Sequence, residues 1–415
     1  MKTVIYTAAH GGFASEAAPL GGGAAIFERL TAEWKRTRPF NLETLTPQLL
    51  GHKAPTAAEL VEFTEQEYAD FCMDFERAAT AEILRRDPQE TVVLSNDISE
   101  GPDFDKLYHA GFRVFTVYHV DVVAYVAAIY GRGLIAPATL VRWHDRLAAS
   151  FLGRWLPPIL RLVFQKQRES VDYSHGLIVP SPGMKEELLR CYATLSPERV
   201  HVLPWGVEAA PFAESEVEQA ARALRQRWQV PPEALVLLTL SRISPEKGQD
   251  LLLDALLQWE RKGTLPERPV WLFLCGGAAY MMGRRFERKL RRMAKRLRRV
   301  KVVFPGYVTG VEKYAYFRMA DVYVFPSRHE SYGLTLLEAL ASGLPAICMD
   351  NLGARALMRP ELGEVVGPGG LLPALQRILA DDDWRKRAAE CARAFAGAQP
   401  FAKTAAALAS LLLSS

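Results

Sequence analysis

Short, continuous apolar runs that end in glycine, proline or polar residues alternate along the chain with longer segments of helical period. In the first half the runs are TVIYTA, TVVLS, RVFTVY, GLIVP and RVHVLP; in the second they are LVLLTLS, VWLFLC, KVVFP, VYVFPS and PAICM. That alternation predicts βαβ units twice over. Because the runs are continuously apolar, their strands are expected to be buried on both faces, as in parallel sheets covered by helices. The predicted fold class is α/β, with two Rossmann-like doubly wound domains facing a cleft in which a ligand is expected. Residues 204–216, PWGVEAAPFAESE, break the pattern with proline, glycine and acid, so the predicted domains are 1–206 and 207–395. The tail 396–415 reads as a helix that completes the second domain or crosses back to the first. Tyr125 to Gln167, with Trp143 and Trp155, suits either ordinary packing helices or a partly exposed, acceptor-facing surface.

Composition agrees with a soluble globular chain of two domains: 415 residues, 49% hydrophobic and 24% charged. The cysteines Cys72, Cys191, Cys275, Cys348 and Cys391 are odd in number, widely spaced and free of any C-x-x-C pattern. They argue against a disulfide framework or a zinc site and for a reducing, cytoplasmic setting. The opening MKTVIYTAAHGG has too short an apolar run for a signal sequence and reads as a first strand. No stretch approaches the roughly 20 apolar residues of a spanning helix, so any membrane contact is expected to be peripheral, at the inner face.

Charge is unevenly placed. The net charge is +4, yet residues 284–301, RRFERKLRRMAKRLRRVK, hold eleven Lys/Arg against one Glu, a local +10 that leaves −6 for the remainder. Phe286, Leu290, Met293, Leu297 and Val300 recur at helical spacing, which predicts an amphipathic helix over 284–301 with a narrow buried stripe. Its basic side fits a solvated face; it also suits docking to anionic lipid or another polyanion.

Two stretches carry candidate chemistry. In LLTLSRISPEKGQDLLLDAL a strand ends at Ser241, and Ser244–Pro245 is a good N-cap and first helical position, which puts Lys247 in the first turn. Arg242 and Lys247 then oppose the helix dipole unless an anion sits between them. A diphosphate would accept from both cations and from helix-start N–H groups; solvated surface cations are the plainer reading. In HESYGLTLLEALASGLPAI, a strand delivers Glu330 to the sheet edge, Gly333 permits close approach to backbone, and Glu338 lies on the helix that follows. Carboxylates there can accept from vicinal sugar hydroxyls. Structurally, Thr335 and Glu338 also have capping-box spacing, and Glu330 could complement the helix dipole.

Together these motifs resemble the retaining glycosyltransferases of GT-B fold, family 4, also called glycosyl transferases group 1. Glu330-x7-Glu338 resembles that family's E-x7-E signature, and SRISPEKG its Gly-Arg-Leu-x-x-x-Lys-Gly segment, with Ser241 in place of the first glycine. GLIVPSPGMKEEL is similar to its serine-containing strand and helix, and VLPWGVE to its interdomain junction, whereas DNLGARALMRPELGEVVGPGG is compressed. The resemblance implies that Arg242 and Lys247 neutralise the diphosphate of a nucleotide-sugar donor. It implies that Glu330 holds sugar hydroxyls and Glu338 the ribose diol. Ser331, Tyr332, Gly333, Leu334, Thr335 and Leu336 would meet sugar and distal phosphate, with the base near Tyr307 and Val308. In the first domain His119, in VYHVDVV, resembles the active-site histidine, and Gly22 and Gly23, in PLGGGAAIFERL, the loop facing donor phosphate.

The implied function is hexosyl transfer from a nucleotide-diphosphate sugar, of the UDP-glucose or GDP-mannose type, to a glycan, lipid or small-molecule hydroxyl. No cofactor and no metal are expected, since Asp381–Asp383 read as capping before Trp384, and no nucleic acid is expected as partner. The alternatives are a nucleotide-sugar epimerase of the same architecture and a polyanion- or membrane-binding protein using the basic helix.

Overall fold

The computed structural model describes residues 2–13, 21–129, 135–148, 158–208, 212–278 and 280–414. The chain divides into two units, Met1–Pro204 with Ala402–Ser415, and Trp205–Phe401. Each is built on one six-stranded parallel sheet. Among the expectations above, Trp155 and residues 209–211 of the junction lie outside the described residues.

The first unit contains β1 (Thr3–Thr7), β2 (Asn41–Leu45), β3 (Thr91–Ser95), β4 (Arg113–Val117), β5 (Gly176–Val179) and β6 (Val200–Val202). Their spatial order is β2-β1-β3-β4-β5-β6, so the order reverses between β1 and β3. Strands β3 and β5 are buried along their whole length, which is why their sequences are apolar without alternation. Helices Val122–Ile129, Pro137–Ala148 and Pro158–Tyr173 follow β4, and Trp143 among them is exposed. The last helix, Phe401–Ser414, belongs mainly to this unit: the Trp34 indole Nε1 donates to Ala405 O at 3.0 Å, and Leu408 and Leu412 are fully buried.

The second unit contains β7 (Leu235–Leu240), β8 (Val270–Cys275), β9 (Val300–Gly306), β10 (Val322–Phe325), β11 (Ala346–Met349) and β12 (Gly363–Val366), in the order β12-β11-β10-β7-β8-β9. The order reverses between β7 and β10, which pair in parallel. In open α/β sheets such a reversal leaves a crevice at the carboxyl ends of the two strands.

Strands β2 and β12 were not legible as apolar runs. NLETL exposes Asn41 and Thr44, and GEVV is a four-residue strand holding only two valines, so neither carries a continuous apolar run. The basic segment also departs from expectation. Its helix is Tyr280–Ala294, Leu297 lies in the following turn, and Val300 opens β9 opposite Val270. Phe286, Leu290, Leu297 and Val300 nevertheless join one buried cluster, with Met293 packed against it. A helical and an extended segment can both feed one core, so spacing alone overextended the helix. Among the described residues no helix is long and apolar enough to cross a membrane, and the five cysteines are free thiols, four of them buried.

Candidate active site

The switch point of the second sheet gathers the charged residues singled out in the sequence. Arg242 lies in the loop leaving β7, Lys247 in a 3-10 turn, Pro245–Lys247, and the helix proper starts at Gln249 behind the N-cap Gly248. Ser244 is the N-cap and Pro245 the first residue of this turn, as expected, but the turn is 3-10, ends at Lys247 and has no side-chain cap, and Gly248 rather than Ser244 precedes the α-helix. The Ser244 hydroxyl instead donates to Glu246 Oε1 at 2.5 Å. Gly248 has φ of 66°, and a Cβ there would stand 2.0 Å from Pro326 O, so only glycine fits between the turn and the end of β10. Gln249, almost wholly buried, donates through Nε2 to Ser241 Oγ at 3.0 Å and to Arg242 O at 2.8 Å, which fixes the loop that carries Arg242.

The counter-charges of these cations come from the chain itself. Lys247 Nζ lies 2.6 Å from Glu330 Oε2, with both side chains largely buried. Arg242 reaches to 3.8 Å from the buried Glu246. Unfavourable local charge in the β7 loop is thus offset by a carboxylate 83 positions away, a relation that no local spacing reveals. The loop after β10 is held by Gly353 N, which donates to Glu330 O at 2.9 Å, and by the Tyr332 hydroxyl, which donates to Trp205 O at 2.6 Å. Burial keeps the Tyr332 phenol well above its ordinary pKa, as a neutral donor. The backbone from Ser331 to Gly333 is therefore tied at both sides.

Gly333, at φ 92°, is the N-cap of helix Leu334–Ala341, and no side chain caps its first turn. The capping box that Thr335 and Glu338 could have formed does not occur. Thr335 and Leu336 lie inside the helix, and the Thr335 hydroxyl sits 3.0 Å from the Tyr323 hydroxyl. Glu338, 9% exposed, accepts instead from Lys313 Nζ at 3.0 Å. Lys313 stands on helix Gly310–Met319, just beyond Tyr307 and Val308; Tyr307 is exposed and Val308 buried. Sequence reasoning missed Lys313, because a lysine 25 positions before its partner carries no spacing signal.

In the first unit a second polar cluster forms at the carboxyl ends of β3 and β4, next to the start of helix Gly22–Thr37. His119 Nε2 and Asn96 Oδ1 are 3.0 Å apart, the Tyr6 hydroxyl donates to the same oxygen at 2.6 Å, and Asn96 Nδ2 donates to Gly23 O at 3.3 Å. A Cβ on Gly23 would lie 3.1 Å from the His119 ring, so the glycine lets helix and imidazole meet. Burial pushes His119 down to about 4, against the pull of Asp97, and the ring is neutral at pH 7. Burial works to raise Asp97 as well, but His10 and His119 outweigh it and hold that carboxyl below its usual range. Asn96 and Asp97 directly follow the run TVVLS, and that strand-end position was the signal that could have found them. The structure brings Gly22, Gly23 and His119 together here, and Arg242, Lys247 and Glu330 together in the second unit, with Glu338 on the adjoining helix.

Among the described residues no three His, Cys, Asp or Glu side chains are grouped so as to hold a metal. Asp381 caps helix Asp382–Gly397 by accepting from Trp384 N at 2.8 Å.

Residues 221–395, which contain Arg242, Lys247, Glu330 and Glu338, match the model of one protein family, described as glycosyl transferases group 1. Over this segment the chain is similar to that family. Among curated proteins similar to this chain, D-inositol 3-phosphate glycosyltransferase of Jonesia denitrificans is 32% identical over 195 residues, 46% of this chain and 44% of that protein. The chain spans about half the length of the curated relatives it matches. Over its whole length the fold is GT-B. Sucrose-phosphate synthase of Thermosynechococcus elongatus superposes with a TM-score of 0.70 at 20% identity, covering 99% of this chain and 98% of that one. Anabaena HepE, solved with UDP and glucose, superposes with a TM-score of 0.65 at 17% identity, covering 100% of both chains.

Proposed function

We propose that the protein is a retaining glycosyltransferase that moves a hexosyl group from a nucleotide-diphosphate sugar, of the UDP-glucose or GDP-mannose type, to an acceptor hydroxyl without a metal ion. One observation carries this reading: Arg242, Lys247 and Glu330 converge at the β7/β10 switch point beside an uncapped helix start, with Glu338 one turn further on. Cations and helix-start N–H groups suit a diphosphate, and flanking carboxylates suit hydroxyls. The UDP bound to HepE supports a nucleotide-sugar donor.

In this mechanism Arg242 and Lys247 stabilise the charge that grows on the departing diphosphate, where electrostatic help lowers the barrier most. Glu330 holds hydroxyls of the donor sugar, and Glu338 accepts from the ribose diol. Backbone of Ser331, Tyr332, Gly333, Leu334, Thr335 and Leu336 meets sugar and distal phosphate, while Tyr307 and Val308 flank the base. His119, neutral and oriented by Asn96, serves as a hydrogen-bonding group toward the sugar, with Gly22 and Gly23 at the adjoining helix start facing the donor phosphate. The acceptor attacks the face that the diphosphate leaves, and its proton departs with the leaving group.

The test is a panel of nucleotide-diphosphate sugars in EDTA, scored by stabilisation and by hydrolysis or transfer. A ligand at 100 times its Kd raises stability by about 2.7 kcal/mol. Glu338→Ala is expected to weaken donor binding; full donor affinity in that variant, or turnover abolished by EDTA, would contradict the assignment.

A further inference from the structure

All eleven cations between Arg284 and Lys301 are exposed, and they do not share one element. Helix Tyr280–Ala294 contributes six, the following turn four, and edge strand β9 contributes Lys301. Strand and helix are joined where the Arg291 guanidinium lies 4.4 Å from the centre of the Phe304 ring. Carboxylates neutralise few of these charges: Arg291 pairs with Glu287 and Lys289 with Asp250. Among the described residues Arg285, Arg288, Arg292, Lys295 and Arg296 have no carboxylate within ion-pair distance. Arg288 stands four positions from both Arg284 and Arg292, a spacing at which like charges destabilise a helix. The first turn of this helix has no acid to offset them.

The glycosyl-transfer reading leaves this face without a role. We propose that it is an electrostatic docking surface for an anionic lipid bilayer. The apolar stripe of the same segment is consumed by the core, since Phe286 and Leu290 are buried. No large apolar side chain among the described residues of 284–301 is exposed for insertion, so attachment rests on charge and is reversible by salt. A bilayer is favoured over single-stranded nucleic acid by the side-chain inventory. Sequence-tolerant strand binding stacks bases on exposed aromatic rings, and the aromatics at this face, Phe286 and Phe304, are covered by the core and by Arg291. The remaining chain carries a net −6, so the excess positive charge of the chain is concentrated in this segment.

The experiment is co-sedimentation of the full chain with vesicles of phosphatidylcholine alone or mixed with phosphatidylglycerol, at low and at physiological salt. Binding is expected only to the mixed vesicles and should fall steeply as salt rises. Each cation removed near an anionic surface costs roughly a factor of five, so R285Q/R288Q/R292Q is expected to bind about 100-fold more weakly. These side chains are exposed, and an unchanged melting temperature confirms that the variant is folded. A control with three charges removed elsewhere, R77Q/R85Q/R190Q, should bind as wild type. No binding to mixed vesicles, equal binding to neutral ones, an unaffected triple variant, or tighter binding to polyuridylate than to vesicles would each overturn the proposal.

Discussion

Lys247 Nζ and Glu330 Oε2 lie 2.6 Å apart, joining the loop after β7 to the loop after β10 across the switch point of the second sheet. In the proposed reaction each has another partner: the diphosphate for Lys247 and the sugar for Glu330. Donor binding therefore exchanges an internal counter-ion for an external one, and the desolvation of both groups is already met by the fold.

Glu330→Gln removes the competitor for Lys247 without changing size. Affinity for the free nucleoside diphosphate is expected to rise about fivefold, from about 1 kcal/mol of released pairing. Transfer should fall by orders of magnitude, because the sugar loses a charged acceptor. Calorimetry with the diphosphate and a turnover assay read the two arms separately; a loss of diphosphate affinity would contradict the exchange.

Lys313 holds Glu338, the carboxylate proposed to face the ribose, at 3.0 Å in a largely buried setting. Lys313→Met is expected to raise donor KM about tenfold, the scale of a hydrogen bond to a charged group, with kcat little changed. Lys313→Arg should recover most of the affinity. Equal loss of kcat and of affinity would exclude a purely positioning role.

Burial holds His119 near 4, below the ordinary value of 6.5. The folded state therefore binds fewer protons than the unfolded chain between these values. Its contribution to stability is complete above about 6.5 and is lost as pH falls toward about 4. His144, His175 and His201 are displaced in the same direction, so the informative quantity is a difference. Urea unfolding of His119→Gln should have a shallower acid slope than wild type; identical slopes would show that His119 is not buried neutral.

Leu408 has no exposed surface, on the carboxyl-terminal helix whose Ala405 carbonyl accepts from Trp34. Leu408→Ala is expected to cost the first unit about 2–5 kcal/mol through lost burial and a residual cavity. Thermal unfolding should show the first unit melting earlier while the nucleotide affinity proposed for the second is retained.

The alternation of apolar runs with helical segments was sufficient for two doubly wound parallel sheets, because strands buried on both faces must be continuously hydrophobic. Strands β2 and β12 escaped it, since NLETL and the short GEVV interrupt their apolar residues with polar ones or glycine. Motif order was enough to single out Arg242, Lys247 and Glu330, in the loops and turn that follow strand ends, and Glu338, one turn into the helix that follows. Which charge meets which was decided only by tertiary structure: Lys247 with Glu330, Lys313 with Glu338, and His119 with Asn96 and Gly23. These pairings depend on strand order, and strand order is set by packing between segments far apart in the chain, about which local spacing is silent. The same holds for the basic segment, whose periodicity named the buried residues correctly but could not tell that the last of them opens a strand.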